Sequence, residues 1–229
     1  MLFLLLAFRF PIHCASERII VIYNRCPFTV WPAILGPGDP QGGGFRLEHE
    51  QSRKISVQSD WQGVIWARTL CDGRMNCATG SCGNREQCNG SVGQFPFTAA
   101  EFSLDEANDE DVYAVSLING YNVPVLIEPF GGERCRRAGG CIADINELCP
   151  ERLRVVRAGH TIACRSACDA LRTDRECCRG SFAAPDKCFR SDVAQTFKDA
   201  CPTAYSFLFD DATSSFGCQH GAEYVVQFC

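Results

Sequence analysis

The chain has 229 residues, 46% of them hydrophobic, with 17 cysteines and a formal net charge of −5. This length suits one large or two small domains, and all-β domains often use it as a single unit. The negative charge argues against a nucleic-acid partner, which needs a basic surface, and against electrostatic attraction to anionic membranes. An uncharged polysaccharide is compatible with it.

The first sixteen residues predict a secretory signal peptide. Residues 2–8 form an apolar core, and the small residues Cys14 and Ser16 stand at the −3 and −1 positions of a cleavage site. The segment is too short to span a membrane, and no later run is apolar for long enough. We therefore expect a secreted, extracellular protein with no transmembrane segment, whose mature domain is residues 17–229.

The cysteine count supports export. Loss of Cys14 with the signal peptide leaves an even number of cysteines, enough for eight disulfides, and so many bridges persist only in an oxidising compartment. Zinc modules favour repeated CxxC pairs, usually with histidine, and the chain has none; its closest spacings are Cys164-x3-Cys168 and the adjacent pair Cys177-Cys178. We expect no metal and no cofactor.

Apolar runs in the first seventy residues predict β-strands. Residues 18–23 (RIIVIY) and 28–31 (FTVW) are interpreted as a hairpin that ends at Pro32, and residues 36–44 as a glycine-rich loop. Residues 45–57 and 63–69 add further strands. Turn signals between these runs, without a helical period, predict an all-β sandwich or barrel.

Residues 71–88 have a different composition. Four cysteines stand there among glycines and polar residues, so small disulfide loops must hold the segment together. It ends at the N-glycosylation sequon Asn89-Gly90-Ser91, which marks a surface position in a secreted protein.

Residues 99–127 combine a carboxylate-rich segment with a predicted hairpin. The runs 112–118 and 121–127 are joined by Asn119-Gly120, a strong hairpin turn signal. The carboxylates before the hairpin are interpreted either as a solvated loop or as a sugar-binding or sugar-cleaving cleft. They are Glu101, Asp105, Glu106, Asp109, Glu110 and Asp111.

The last third of the chain alternates between helical and β character. Residues 166–172 and 191–200 predict short helices, the second capped by Ser191, and residues 205–229 return to β character. Cys229 is expected to pair with Cys26, which would close the first and last strands of the sheet.

Several segments resemble the thaumatin-like proteins of pathogenesis-related group 5, in order along the mature chain and with its sixteen cysteines. They are GVIWARTLCDGRMNCATGSCGNREQCNG, FPFTAAEFSL, SLINGYNVPV, CIADINELCP, the Cys177-Cys178 pair, CPTAYSF and DDATSSF. The resemblance implies a mainly β fold: a flattened β-sandwich core (17–69, 92–140 and 202–229), a cysteine loop (70–91) and a disulfide-rich, partly helical lobe (141–201). It also implies the pairs Cys26–Cys229, Cys71–Cys77, Cys82–Cys88, Cys135–Cys218, Cys141–Cys201, Cys149–Cys164, Cys168–Cys177 and Cys178–Cys188.

The resemblance also implies a ligand cleft between core and lobe. Many members of the family carry an arginine, a glutamate and three aspartates there. The arginine matches Arg68 and the glutamate Glu101, but the aspartate positions hold Ala114, Asn119 and Thr203. The predicted cleft set is Arg68, Glu101, Asn119, Tyr121 and Asp210.

Glycoside hydrolysis usually needs two carboxyl groups, about 5–5.5 Å apart for retention or about 6.5–9.5 Å for inversion. Glu101 is a candidate acid, and a replacement partner would have to come from Asp105, Asp111, Asp210 or Asp211. Arg68 and Glu101 are also a candidate ion pair. Tyr113 and Tyr121 either offer a stacking face for sugar or belong to the core.

Three functions remain open. The resemblance implies a monomeric, antifungal or antimicrobial defence protein that binds cell-wall β-1,3-glucan. A weak endo-β-1,3-glucanase is one alternative, disfavoured by the missing carboxylates. An inhibitor or binder of another protein is the other.

Overall fold

The computed structural model describes residues 17–106, 109–219 and 221–229. The predicted signal peptide, residues 1–16, lies outside the described residues. The structure is mainly β. Its strands are β1 (Glu17–Asn24), β2 (Trp31–Leu35), β3 (Ser52–Gln58), β4 (Gln62–Arg68), β5 (Ala99–Glu106), β6 (Glu110–Ser116), β7 (Val125–Phe130), β8 (Ala138–Gly139), β9 (Arg154–Arg157), β10 (His160–Cys164), β11 (Ala204–Tyr205), β12 (Phe216–Gln219) and β13 (Glu223–Phe228).

The helices are short. They are α1 (Ile145–Leu148), α2 (Ala167–Leu171), α3 (Asp192–Ala200) and α4 (Asp211–Ser214), with 3-10 turns at Pro40–Gly43, Glu151–Leu153 and Gly180–Phe182. Both predicted helices are confirmed. Ser166 and Ser191 cap α2 and α3 because their hydroxyls accept the amides of Asp169 and Ala194.

The first sheet joins the two ends of the described chain. Its strand order is β3-β1-β13-β7-β8, and β1 runs parallel to β13 with Ile20 opposite Tyr224. Cys26 and Cys229, which follow these two strands, form a disulfide. The predicted closure of the first and last strands is therefore confirmed.

The second sheet has the order β11-β6-β5-β4-β2, and β12 also pairs with β6. Side chains alternate along β5, where Phe102 and Leu104 are buried in the core while Glu101 and Ser103 stay partly exposed. The rings of Phe102 and Tyr113 pack on Tyr224 of the first sheet, with centroid distances of 5.3 and 5.1 Å. One continuous core thus lies between the sheets.

The predicted hairpin at the start of the chain is wrong. β1 belongs to the first sheet, whereas β2 pairs with β4 in the second. Pro32 does not end a strand but lies inside β2, opposite Ala67. β2 tolerates it because this strand is the last in its sheet, where a missing N–H leaves no ladder partner unpaired.

The predicted hairpin at Asn119-Gly120 is also wrong. A turn does form there, with the Gly120 amide donating to the Leu117 carbonyl at 2.9 Å, but β6 and β7 lie in different sheets. The antiparallel neighbour of β6 is β5. The acidic residues therefore lie mostly in these two strands rather than in a loop before a hairpin.

Eight disulfides brace the molecule, and the pairs are those that the resemblance implies. Their sequence separations range from 6 to 203 residues. In the described part of the chain, no helix is long and apolar enough to cross a lipid bilayer.

Candidate functional site

Glu101 lies on the outward face of the second sheet. Its nearest cross-strand partners are Ala114 on β6 and Val64 on β4. A cavity of about 220 Å³ opens at this position. Its lining residues are Glu101, Phe102, Ser103, Val112, Tyr113, Ala114, Tyr205 and Ser215.

Partial burial shifts the pKa of two groups that line this Glu101 cavity, the Glu101 carboxyl and the Tyr205 hydroxyl. Burial raises the pKa of the Glu101 carboxyl because it disfavours the charged form, and the nearby Ser116 hydroxyl offsets only part of this effect. Burial also raises the pKa of Tyr205 to about 12, helped by a hydrogen bond to Asp211 and by the charge of Glu101. Both groups are therefore protonated more readily than their exposed counterparts.

Arg68 is not part of this cavity. It is fully buried, and its guanidinium donates to the backbone carbonyls of Trp31 and Pro32 in β2 and of Arg85 and Glu86 in the cysteine loop, at 2.7–3.2 Å. Burial lowers its pKa to about 10. No ion pair joins Arg68 to Glu101, so the arginine of the predicted cleft acts as a structural link between β2 and the cysteine loop.

The tyrosines proposed as a stacking face are buried. Tyr121 is fully buried, and Tyr113 is 1% exposed with its hydroxyl donating to the Arg136 carbonyl. The ring that lines the Glu101 cavity from outside the β5–β6 pair is Tyr205 instead. Sequence reasoning missed Tyr205, although it stands in the segment CPTAYSF that carries the resemblance.

Asp210 is 4% exposed and held in a buried network. Its carboxylate contacts Arg190 at 2.6 Å and Lys198 at 3.1 Å, and it accepts the amide of Ser206. Burial alone would raise the pKa of Asp210, but the bonds from Ser206 and Lys198 outweigh it and lower the pKa. This carboxylate does not line the Glu101 cavity.

The other candidate carboxylates are also occupied or exposed. Asp111 is 1% exposed and binds Arg18 at 2.5 Å and the Tyr224 hydroxyl at 2.7 Å. Asp211 accepts the Tyr205 hydroxyl at 2.9 Å. Asp105 is exposed at the end of β5.

Ala114 occupies the position at which a second carboxyl would face Glu101. Directly opposed residues on antiparallel strands have Cβ atoms about 4.5–5.5 Å apart, and Ala114 stands opposite Glu101. The resemblance places an aspartate at this position. Thr203 and Asn119, at the other two aspartate positions, do not line the cavity: Thr203 donates to the Gly139 carbonyl, and Asn119 belongs to the turn after β6. Glu101 is thus the one carboxylate among the residues that line the described cavity.

Asn89 is exposed at the end of the cysteine loop, as the sequon requires. Among the residues that the structure describes, no group of three or more His, Cys, Asp or Glu side chains is arranged to hold a metal ion.

The thaumatin family model matches residues 24–229. The chain belongs to the thaumatin family. Thaumatin-like protein 1 of Arabidopsis thaliana is 43% identical and aligns with 99% of this chain and 93% of its own length. Pathogenesis-related protein 5 of the same species is 44% identical over 90% and 87%, and zeamatin of Zea mays is 40% identical over 93% and 91%.

Two solved structures share the thaumatin-like fold at low sequence identity. A thaumatin-like xylanase inhibitor is 22% identical, with a TM-score of 0.50 over 92% of this chain and 98% of its own. A β-1,3-glucanase domain from Clostridium beijerinckii is 8% identical, with a TM-score of 0.52 over 93% and 98%. At these identities they show the fold alone.

Proposed function

We propose that this thaumatin-family member is a secreted, antifungal defence protein that binds cell-wall β-1,3-glucan in the Glu101 cavity without cleaving it. One observation carries the proposal: the cavity combines a single carboxyl with two tyrosine and two serine residues, while the methyl group of Ala114 stands opposite that carboxyl. Such a set can hydrogen-bond sugar hydroxyls, but it lacks the pair of carboxyls that glycoside hydrolysis usually needs.

The family relationship supports a defence-related role, since relatives that match most of the chain bear the name pathogenesis-related. The eight disulfides support export, because this density of bridges persists in oxidising compartments. The shallow, partly polar cavity suits a neutral glucan chain better than a charged ligand, since Glu101 is its one lining carboxylate.

The binding proposal is tested by retention of the oxidised protein on insoluble β-1,3-glucan. We expect Glu101→Gln and Tyr205→Ala each to lower the affinity about tenfold, because each removes hydrogen bonds or contact area at the cavity. Glu223→Gln is the matched control, since Glu223 is exposed on β13 of the other sheet. Retention that is equal in all four proteins would contradict the proposal.

Release of reducing sugar from a soluble β-1,3-glucan separates binding from hydrolysis. We expect none from the natural sequence and measurable release from Ala114→Asp, which places a second carboxyl opposite Glu101. Activity of the natural sequence that Glu101→Gln abolishes would instead establish the glucanase alternative.

A further inference from the structure

A second concave surface lies away from the Glu101 cavity. Two cavities of about 590 Å³ each share the side chains of Leu70 and Ile162, and neither contains a residue that lines the Glu101 cavity. We call them together the Leu70 groove. One end is mostly apolar, with Phe28, Val123 and Ile142 among its lining residues, although Asp144 lines it too.

The two shared side chains stand on irregular backbone. Leu70 is 45% exposed and adopts a φ of 53°, a left-handed conformation that costs energy for any residue except glycine. Ile162 sits where the β9–β10 register shifts between Thr161 and Ala163, the position of a β-bulge. Both residues that the two cavities share therefore stand where the backbone is irregular.

The other end of the groove is polar and carries charges of both signs. Arg157 and His160 line it, both exposed, beside Asp72. Asp72 is already bonded to Asn76 and to backbone amides of its own loop. Arg157 donates to the Leu70 carbonyl at 3.3 Å and makes no direct ion pair with any residue in the described ranges, although, after the hydrogen bonds from Asn76, its charge helps to lower the pKa of the neighbouring Asp72.

We propose that the Leu70 groove binds a single-chain free fatty acid. The alkyl chain lies along Leu70, Ile162 and the apolar end, where each buried methylene gains from leaving water. The carboxylate bonds to the Arg157 guanidinium, whose planar fork matches carboxylate geometry. Such an alkyl chain would span both cavities along the two residues that they share.

The test uses the full, oxidised protein and the fluorescent fatty acid cis-parinaric acid, with dodecanoate, dodecanol and dodecyltrimethylammonium as competitors. We expect dodecanoate to displace the probe at least about tenfold better than the other two, since only it can bond to Arg157 through a carboxylate. Arg157→Gln is expected to remove this preference.

Leu70→Gly tests the middle of the groove, because glycine removes the side chain and also relieves the backbone conformation. We expect weaker probe binding without loss of thermal stability. Val92→Ala is the control for loss of an exposed apolar side chain, since Val92 is 62% exposed and lies outside the groove. Absent probe binding, equal displacement by the three competitors, or binding that Leu70→Gly and Arg157→Gln leave unchanged would each overturn the proposal.

Discussion

Arg68 is fully buried, and each of its nitrogen atoms bonds to an acceptor of β2 or the cysteine loop. A guanidinium suits this place because five N–H groups in a rigid plane can serve several carbonyls at once. Arg68, which the family pattern assigns to the cleft, thus links β2 to the cysteine loop.

We expect Arg68→Ala to lower the free energy of unfolding by about 3 kcal/mol or more, because buried carbonyls would lose their donors. Guanidinium chloride unfolding of the oxidised protein measures the change. The exposed Arg74 supplies the control, and Arg74→Ala should stay within about 0.5 kcal/mol of the natural sequence. A small effect of Arg68→Ala would show that water replaces the guanidinium.

Glu101 carries a stability cost that depends on pH. Its pKa is raised above the ordinary value of 4.5 by burial, so the unfolded state ionises more easily than the folded state. The cost is present above the raised pKa and disappears below pH 4.5, where both states are protonated. We expect Glu101→Gln to raise the free energy of unfolding at pH 7 and to leave it unchanged at pH 3.

Urea unfolding at the two pH values measures this difference. Glu223→Gln should show no comparable gain at pH 7, because Glu223 is exposed. Equal stability of Glu101→Gln and the natural sequence at pH 7 would mean that the carboxyl is better solvated than its position suggests.

At the scale of the element, the turn after β6 directs the chain from the second sheet to the first. Gly120 adopts a φ of 98°, and a Cβ there would lie 2.4 Å from Pro96 Cβ and 2.7 Å from the Cys164 carbonyl. Tyr121 then bonds to Cys164 through backbone groups at 2.8 and 2.9 Å. The turn is therefore packed against the end of β10.

We expect Gly120→Ala to lower the free energy of unfolding by about 2–4 kcal/mol, from backbone strain and overpacking together. Gly38 separates the two causes, because it has a φ of 77° but a Cβ at this position would meet no atom within 4 Å. Gly38→Ala should cost only about 1 kcal/mol. Thermal or denaturant unfolding of the two variants provides the comparison, and equal costs would refute the packing argument.

At the scale of the whole molecule, the disulfides differ most in the length of chain that they close. Cys26–Cys229 spans 203 residues and joins the parallel strands β1 and β13, whereas Cys71–Cys77 spans 6 residues within the cysteine loop. A bridge restricts the unfolded chain more when it closes a longer loop. The terminal bridge should therefore contribute most.

We expect replacement of both Cys26 and Cys229 by serine to lower the free energy of unfolding by about 5 kcal/mol, against about 2 kcal/mol for the pair Cys71 and Cys77. Reversible denaturant unfolding of the two double variants, with the other bridges intact, measures both. A larger loss for the short bridge would show that native-state contacts outweigh chain entropy.

Strands such as β1, β4 and β13, the two capped helices and the terminal disulfide could be predicted from local pattern, because alternation, caps and cysteine parity depend on residues that are close in the chain or on a simple count. β5, β9 and β10 were not predicted. The other seven disulfide pairs could be predicted only from the family resemblance. Strand partners were predicted wrongly where the chain changes sheet. The break after β1 and the turn at Asn119 are both real, but neither says which sheet comes next, and Pro32 lies inside β2 rather than at a turn.

Part of the candidate site could likewise be predicted before the structure was known, and part could not. The family resemblance, read residue by residue, was enough to predict that Glu101 is the remaining carboxylate of the family set and that Ala114 stands where relatives carry an aspartate. The folded structure was needed to learn that Arg68, Tyr121 and Asp210 are buried elsewhere and that Tyr205 completes the cavity. Burial and contact depend on which distant segments pack together. β11 and β6, for example, pair although Ala204 and Val115 are about 90 positions apart in the chain.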